Sequence, residues 1–183
     1  MNVRGVAFLA RRALLVREHG EAAWRSFLET YCKTDPSFRE QVQAVTNIPA
    51  EKFLAFNDAL VARFAQGDPQ AYWKLGESSA EWALTEGQNR GVFKPGEFRR
   101  YLFAGSAIYS TYFDRGTYKT THGAGFTDVT IREVPIHHPY FELSVMGYLK
   151  KGLELLGAKD VRWERLAGFT KGDDFIHYRF WVS

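Results

Sequence analysis

Apolar residues recur at steps of three and four through the first two thirds of the chain, as on one face of an amphipathic helix. Gly20 is suited to end the first of these helices, because glycine tolerates backbone angles that other residues avoid. Asp35 and Pro36 match a capping residue followed by proline in the first turn of a short helix. Longer helices are predicted over residues 3–18 and 21–31, between Pro49 and Gly67, between Pro69 and Gly87, and over residues 97–115.

The helix between Pro69 and Gly87 has an unusually narrow face. Gly76, Ala80 and Ala83 lie at steps of four and three along it. Small side chains let a second backbone approach closely, so this helix is predicted to lie at the centre of the fold. The same narrow face, with the high aromatic content, favours a twofold homodimer, the commonest soluble oligomer.

After Gly116 the apolar period changes from about 3.6 to 2, which is typical of strands. Residues 117–122 and 126–134 predict a hairpin joined by a glycine-rich turn. Residues 141–156 return to the helical spacing, and two further strands are predicted over residues 160–166 and 175–182. The expected fold class is therefore α+β, with a helical N-terminal half followed by a β-β-α-β-β unit that forms a small antiparallel sheet. We expect one domain over residues 1–183.

Composition and charge exclude several classes of protein. The chain has 45% hydrophobic and 25% charged residues, as in ordinary globular proteins, and the net charge of +3 is too small to indicate a nucleic-acid partner. Arg11 and Arg12 interrupt the apolar N-terminus, which argues against a signal peptide or a membrane span. Cys32 is the one cysteine, so no internal disulfide can form. A cytoplasmic protein is expected.

The residues with reactive or ligating side chains form no convincing catalytic or metal site. His137 and His138 are adjacent, but zinc needs further ligands, and a helix-capping role in a proline-bracketed connector is favoured. Cys32 has no neighbouring base and is interpreted as an inert thiol. Residues 123–125 join two strands and do not begin a helix, so they are interpreted as a hairpin turn and not a phosphate loop. Asp173 and Asp174 fit a plain turn.

Aromatic residues are abundant, at 16% of the chain, and several lie on predicted helices. They could line an apolar pocket between the helices and the sheet, or they could simply fill the core. Gly105 is unusual in mid-helix, where glycine costs about 1 kcal/mol relative to alanine. We therefore expect a neighbouring backbone or a ligand to lie against it. The candidate ligand-binding residues are Tyr101, Gly105, Tyr109, Tyr112 and Trp73.

Three stretches carry a resemblance to known proteins: VRGVAFLARRALLVREHGEAAW, FLAFNDALVARFAQGDPQAYWKLGESSAEWAL and GYLKKGLELLGAKDVRWE. They resemble an uncharacterised paralogous family abundant in myxobacteria. That family is similar to the 4-vinyl-reductase-type ligand-binding domain, to the haem nitric-oxide-binding (H-NOX) domain and, more distantly, to TRAPP vesicle-tethering subunits. The resemblance implies an H-NOX/TRAPP-like fold and a cytoplasmic sensory or regulatory domain.

The motifs that would carry chemistry in those relatives do not match this sequence. The resemblance places the haem-ligating histidine seven residues before an aromatic that ends a helix, and with Tyr112 as that aromatic the position is Gly105. The Tyr-x-Ser-x-Arg haem-propionate clamp is replaced by FELSVMG over residues 141–147. Ile176 stands where vinyl-reductase-type domains often carry a cysteine. The resemblance therefore implies the scaffold without haem or another cofactor.

Three functions remain open from the sequence. The leading hypothesis is a non-enzymatic sensory or regulatory domain that binds a small apolar ligand or a partner protein. The first alternative is a homodimeric adaptor with a filled core. The second alternative, ranked lower, is a haem-based gas sensor.

Overall fold

The computed structural model of the protein describes residues 1–39 and 41–183. The chain begins with the short strand β1 (Asn2–Arg4), which pairs antiparallel with β2 (Asn47–Pro49). This two-stranded ribbon was not predicted, since three residues are too few to show an alternating pattern. Val3 also forms an isolated bridge with Phe113, so the N-terminus is attached to the middle of the chain. Within the described residues, no helix has the length and apolarity needed to cross a membrane.

Helix α1 (Gly5–Tyr31) is interrupted where the sequence predicted a boundary. Gly20 has φ 84° and ψ 161°, which is not helical, and it divides α1 into two helical segments. Backbone angles of this kind are confined almost entirely to glycine. The predicted break at Gly20 is thus confirmed. The predicted short helix is also present as a 3-10 turn, Pro36–Phe38, in which the Asp35 carboxylate accepts a hydrogen bond from the Ser37 N–H at 2.9 Å.

Helices α2 (Ala50–Ala65) and α3 (Ala71–Thr85) follow as predicted. The single helix predicted over residues 97–115 is wrong in one respect, because it forms two helices, α4 (Phe98–Phe103) and α5 (Gly105–Tyr112). Ala104 lies between them with ψ near zero.

The second half contains a four-stranded antiparallel sheet with the strand order β3-β4-β6-β5. Its strands are β3 (Thr117–His122), β4 (Thr127–Arg132), β5 (Val161–Ala167) and β6 (Ile176–Val182). Val129 and Ile131 on β4 are fully buried, as their alternation with polar residues predicted. The predicted α+β fold with a small antiparallel sheet is confirmed.

The crossover between the two hairpins begins with a π-helical turn, Tyr140–Ser144, and continues as α6 (Val145–Leu155). The predicted helix over residues 141–156 is present, although a π-turn cannot be distinguished from an α-helix by apolar spacing. His138 accepts a hydrogen bond from the Tyr140 N–H through Nδ1 at 3.1 Å. The helix-capping role predicted for this histidine pair is therefore confirmed at His138.

Helices α3 and α6 pack with their backbones in close approach. A Cβ atom at Gly76 would collide with the backbone of Ser144, and one at Gly147 would collide with the carbonyl of Trp73. Ala80 and Ala83, on the same face of α3, are fully buried. The central position predicted for α3 is confirmed. This face is occupied within the chain, so it gives no support to the predicted homodimer.

Candidate functional site

The candidate site is a small internal cavity between α1, α3, α5, the sheet and the helix that crosses it. Its volume is about 40 Å³. Because a buried water needs roughly 10–15 Å³ of such space, the cavity has room for about three water-sized groups. The lining is mostly apolar and aromatic, and comes from Arg11, Gly76, Ser79, Gly105, Ile108, Tyr109, Tyr112, Phe113, Tyr118, Tyr140, Ser144, Val145, Tyr148 and Leu149.

Gly105 faces the aromatic ring of Tyr118, which β3 places directly against it. A Cβ atom at residue 105 would overlap the phenol oxygen and two ring carbons of Tyr118. The ring therefore fills the space that the missing side chain leaves open. The expectation that a backbone or a ligand covers Gly105 is corrected: a side chain of the chain itself covers it.

Among the residues that the structure describes, the hydroxyl group of Tyr118 has no hydrogen-bond partner, although the side chain is buried. The neighbouring hydroxyl of Thr120 donates to the carbonyl oxygen of Leu102 and is not in hydrogen-bond geometry with the phenol. Burial raises the pKa of Tyr118, so this phenol stays protonated and remains a donor at neutral pH. Such a group in a cavity wall is a natural contact for a bound molecule.

The other phenols around the cavity have partners. Tyr109 donates to the carbonyl oxygen of Arg115 at 3.1 Å. The hydroxyl of Tyr112 accepts a hydrogen bond from Gln88, and that of Tyr148 accepts one from Asn89. Burial raises the pKa of each of these three tyrosines. All of them are neutral at physiological pH.

Arg11 supplies the one positive charge in the cavity wall. Its side chain is 1% exposed, and its nitrogens donate to Asn57 Oδ1 at 3.1 Å, to Leu75 O at 2.9 Å and to Ser79 Oγ at 2.7 Å. A longer contact of 3.4 Å joins Nη2 to the hydroxyl of Tyr140. Every acceptor is neutral, and no carboxylate of the described residues forms an ion pair with Arg11.

Three of the five candidate residues, Gly105, Tyr109 and Tyr112, line this cavity. Tyr101 does not; it is fully buried beneath Gly152 and donates to the carbonyl oxygen of Tyr148 at 3.1 Å. Trp73 is also outside, tilted against Trp163 with ring centroids 4.8 Å apart. The ligand-binding role of all five residues stays a prediction.

Sequence reasoning missed the polar groups of the cavity wall. Arg11 lies within the apolar stripe of α1, where a charge is out of place, and that mismatch was the available signal. Tyr118 and Tyr140 were not singled out, because one aromatic residue in a strand or a turn is not distinctive. Ser79 was not singled out either, because its small neighbours on α3 indicated a face with a purely structural role.

The remaining candidates have structural surroundings. Cys32 is buried, and burial raises the pKa of its thiol, in agreement with an unreactive side chain. His137 stacks on Phe169 with ring centroids 4.6 Å apart. Asp173 accepts a hydrogen bond from the Gly168 N–H within a turn. Over residues 1–39 and 41–183, no group of three or more acidic, histidine or cysteine side chains is arranged to hold a metal ion.

Haem does not fit the residues that this chain places here. Gly105 has no ligating atom, the ring of Tyr118 fills the space beside it, and no histidine lines the cavity. Tyrosine can ligate haem iron as a phenolate, but burial raises the pKa of Tyr118 and disfavours that form. Pockets for sizeable ligands measure about 300–1,000 Å³. The cavity of 40 Å³ is far smaller.

Comparison with known proteins places the architecture. No protein-family model matches the sequence, and no curated protein matches it significantly. Among solved structures, an H-NOX protein from S. oneidensis in the Fe(II)NO state is similar with a TM-score of 0.77 and 10% identity, over 98% of this chain and 99% of that chain. An H-NOX domain from Shewanella oneidensis in the Fe(II)CO state gives 0.75 and 15%, over 98% of each chain.

A third similar structure is an unliganded Fe(II) H-NOX mutant from K. algicida, with a TM-score of 0.70 and 9% identity, over 98% of this chain and 96% of that chain. The resemblances to the myxobacterial family, the vinyl-reductase-type domain and the TRAPP subunits stay predictions. The likeness extends along almost the whole chain at very low identity, so it establishes architecture and not chemistry. This chain has the fold of the H-NOX domains.

Proposed function

We propose that this chain is a non-enzymatic sensory or regulatory domain that binds a small ligand in the cavity beside Gly105 without haem. The observation that carries the proposal is the unpartnered hydroxyl of Tyr118 in the wall of that cavity. The fold supports it, because H-NOX structures in Fe(II)NO and Fe(II)CO states hold their ligands within the same architecture. In this chain the ring of Tyr118 fills space that a large cofactor would need.

The chemistry of the cavity wall supports binding more than catalysis. Its polar side chains are Arg11, five tyrosines with partners or raised pKa values, and the two serines Ser79 and Ser144. Both serine hydroxyls donate to helix carbonyls, Ser79 to Leu75 and Ser144 to Tyr140. A nucleophilic serine needs a positioned general base, and no histidine or carboxylate belongs to this wall.

Haem-based gas sensing is the second candidate, and the structural neighbours favour it because they carry iron with bound NO or CO. Haem binding is disfavoured because Gly105 has no iron-ligating atom and the ring of Tyr118 fills the space beside it. The third candidate is an adaptor, acting as a homodimer or with a protein partner. A filled cavity would favour the adaptor, whereas an open cavity of about 40 Å³ favours a ligand.

Haem titration tests the proposal against the gas-sensor alternative. The purified protein is incubated with haemin, reduced, and scanned for a Soret band. We expect no stoichiometric band from the unaltered chain, because no ligand atom faces the cavity and the Tyr118 ring fills the space. The matched control is the double variant Gly105→His, Tyr118→Gly, which restores both a ligand and room. A stoichiometric histidine-ligated spectrum from the unaltered protein would overturn the proposal.

Native mass spectrometry separates the ligand-binding domain from the adaptor. Protein purified from its own host is sprayed under gentle conditions, and its mass is compared with the 21.0 kDa of the chain. A small retained mass supports the ligand-binding domain. A dimer with the mass of two chains and no bound molecule supports the adaptor.

A further inference from the structure

The cavity wall carries a buried positive charge that no carboxylate of the described residues balances. Arg11 is 1% exposed, and its hydrogen bonds all go to neutral oxygens. Folded proteins rarely bury a positive charge in this way, because a counter-charge is what best recovers the lost hydration. Over residues 1–39 and 41–183, no aspartate or glutamate lines the cavity.

The guanidinium also has donor capacity left over. Arginine has five N–H donors. Four hydrogen bonds are formed, and the one from Nη2 to the hydroxyl of Tyr140 is long, at 3.4 Å. Asn57 and Leu75 do not line the cavity, whereas Ser79 and Tyr140 do. The least satisfied nitrogen of Arg11 is therefore Nη2, whose one partner, Tyr140, lines the cavity.

Tyr118 supplies a second, independent donor. Its hydroxyl is buried and unpartnered, and it lines the same cavity from the side of the sheet. Within an apolar surround, the wall thus offers the unpartnered hydroxyl of Tyr118 and a charged guanidinium whose Nη2 has only one long contact, of 3.4 Å. Hydrogen bonds from a cation to a carboxylate are among the strongest that proteins form, and arginine matches the planar carboxylate geometry.

We propose that the cavity binds a small carboxylate, which supplies the missing counter-charge to Arg11 and accepts a hydrogen bond from the hydroxyl of Tyr118. This inference rests on the proposed ligand-binding function and replaces the apolar ligand expected from the sequence with an anionic one. The volume of about 40 Å³ limits the carboxylate to the size of formate or acetate.

The test is isothermal titration calorimetry of the full chain with formate, acetate and butyrate. Sodium chloride holds the ionic strength constant, so a general anion effect is already saturated by chloride. We expect formate or acetate to bind and butyrate to bind at least roughly tenfold more weakly, because its longer chain exceeds the cavity. Acetamide, the neutral counterpart of acetate, should bind roughly tenfold more weakly or not at all, since it brings no negative charge.

Two tyrosine variants provide a matched pair. Tyr118→Phe removes the unpartnered hydroxyl, so the melting temperature without ligand should stay level or rise, while acetate affinity falls roughly tenfold or more. Tyr101→Phe removes a buried phenol outside the cavity whose hydroxyl already donates to the carbonyl oxygen of Tyr148. It should lower the melting temperature and leave acetate affinity unchanged. Arg11→Gln should abolish binding, and a variant that fails to fold leaves the tyrosine pair to decide.

The outcomes separate this inference from the proposed function. Equal binding of acetamide and acetate would overturn the counter-charge inference while the ligand-binding function stands. Equal loss of acetate affinity in Tyr118→Phe and Tyr101→Phe would overturn the assigned contact. The absence of binding by every probe, with a high-resolution crystal structure showing only ordered water between Arg11 and Tyr118, would overturn the inference and remove the main support for the function.

Discussion

At the scale of single residues, Gly105 and Tyr118 form one unit of packing. The glycine costs about 1 kcal/mol relative to alanine in a helix. The cost is offset because the bare backbone admits a buried aromatic ring, which stabilises the fold by removing a large apolar surface from water. The same ring occupies space that would otherwise enlarge the cavity.

Adding a side chain at residue 105 is expected to destabilise the protein. Gly105→Ala and Gly105→Leu should lower the free energy of unfolding by about 1–3 kcal/mol, with leucine the worse, because the added atoms would overlap the buried ring of Tyr118. Urea unfolding provides the measurement. Ser106→Ala, one residue further along α5 and exposed, should change stability by less than about 0.5 kcal/mol. Unchanged stability in Gly105→Leu would show that the ring does not rest against this glycine.

A second residue-scale prediction concerns pH. Arg179 donates two hydrogen bonds to the carboxylate of Asp128, at 2.8 and 2.9 Å, and these lower the pKa of Asp128. A carboxyl with a lowered folded-state pKa contributes stability that is complete above its unfolded pKa, near 3.9, and lost as the pH falls through the folded value. Asp128→Asn should therefore cost about 1 kcal/mol at pH 7 and nothing at pH 2.

The check is the free energy of unfolding of both proteins from pH 7 to pH 2. The matched control is Asp160→Asn, whose ion pair with Arg162 is largely exposed. That control should show almost no difference at any pH. A difference between the unaltered chain and Asp128→Asn that persists at pH 2 would mean that shape, and not charge, makes the contribution.

At the scale of elements, sterically forced boundaries were predictable and short or irregular elements were not. The break at Gly20 follows from a backbone conformation that other residues avoid. The ribbon of β1 and β2, the division at Ala104 and the π-turn that begins at Tyr140 arise from tertiary contacts. The local spacing of apolar residues does not predict those contacts.

The break in α1 yields the element-scale prediction. Gly20→Ala should lower the free energy of unfolding by about 1–3 kcal/mol, because φ 84° and ψ 161° is a region that essentially only glycine occupies. No atom lies within contact distance of the added Cβ, so the loss measures backbone strain alone. Gly20→Asn should be equally costly, since asparagine tolerates the left-handed helical region but not this one. Thermal unfolding by circular dichroism tests both, and a stable Gly20→Asn would contradict the assigned conformation.

At the scale of the whole molecule, sequence reasoning identified the architecture, and three of its candidate residues line the cavity. The periods of the apolar residues predict the order of helices and strands, and the narrow face of α3 predicts a buried helix. The cavity depends on how Arg11, Tyr118 and Tyr140 come together from distant parts of the chain. Such a meeting follows from the packing of the elements, which no local pattern of residues determines.

The last prediction concerns whether the two halves unfold together. The buried core is one continuous cluster, and Phe53 in α2 contacts Tyr140 with ring centroids 5.3 Å apart. Phe56, fully buried among the aromatic rings of the N-terminal half, lies far from the sheet in sequence. Phe56→Leu should lower stability by about 1–3 kcal/mol.

The loss should appear equally at both ends of the molecule, because a shared core makes unfolding cooperative. Methyl NMR signals of Leu15 in α1 and Ile131 in β4 report the two halves during a denaturant titration. Phe103→Leu makes the same chemical change at a side chain that is 76% exposed. It should change the free energy of unfolding reported by either methyl signal by less than about 0.5 kcal/mol. If Phe56→Leu shifts the Leu15 midpoint but not that of Ile131, the chain contains two domains that unfold independently.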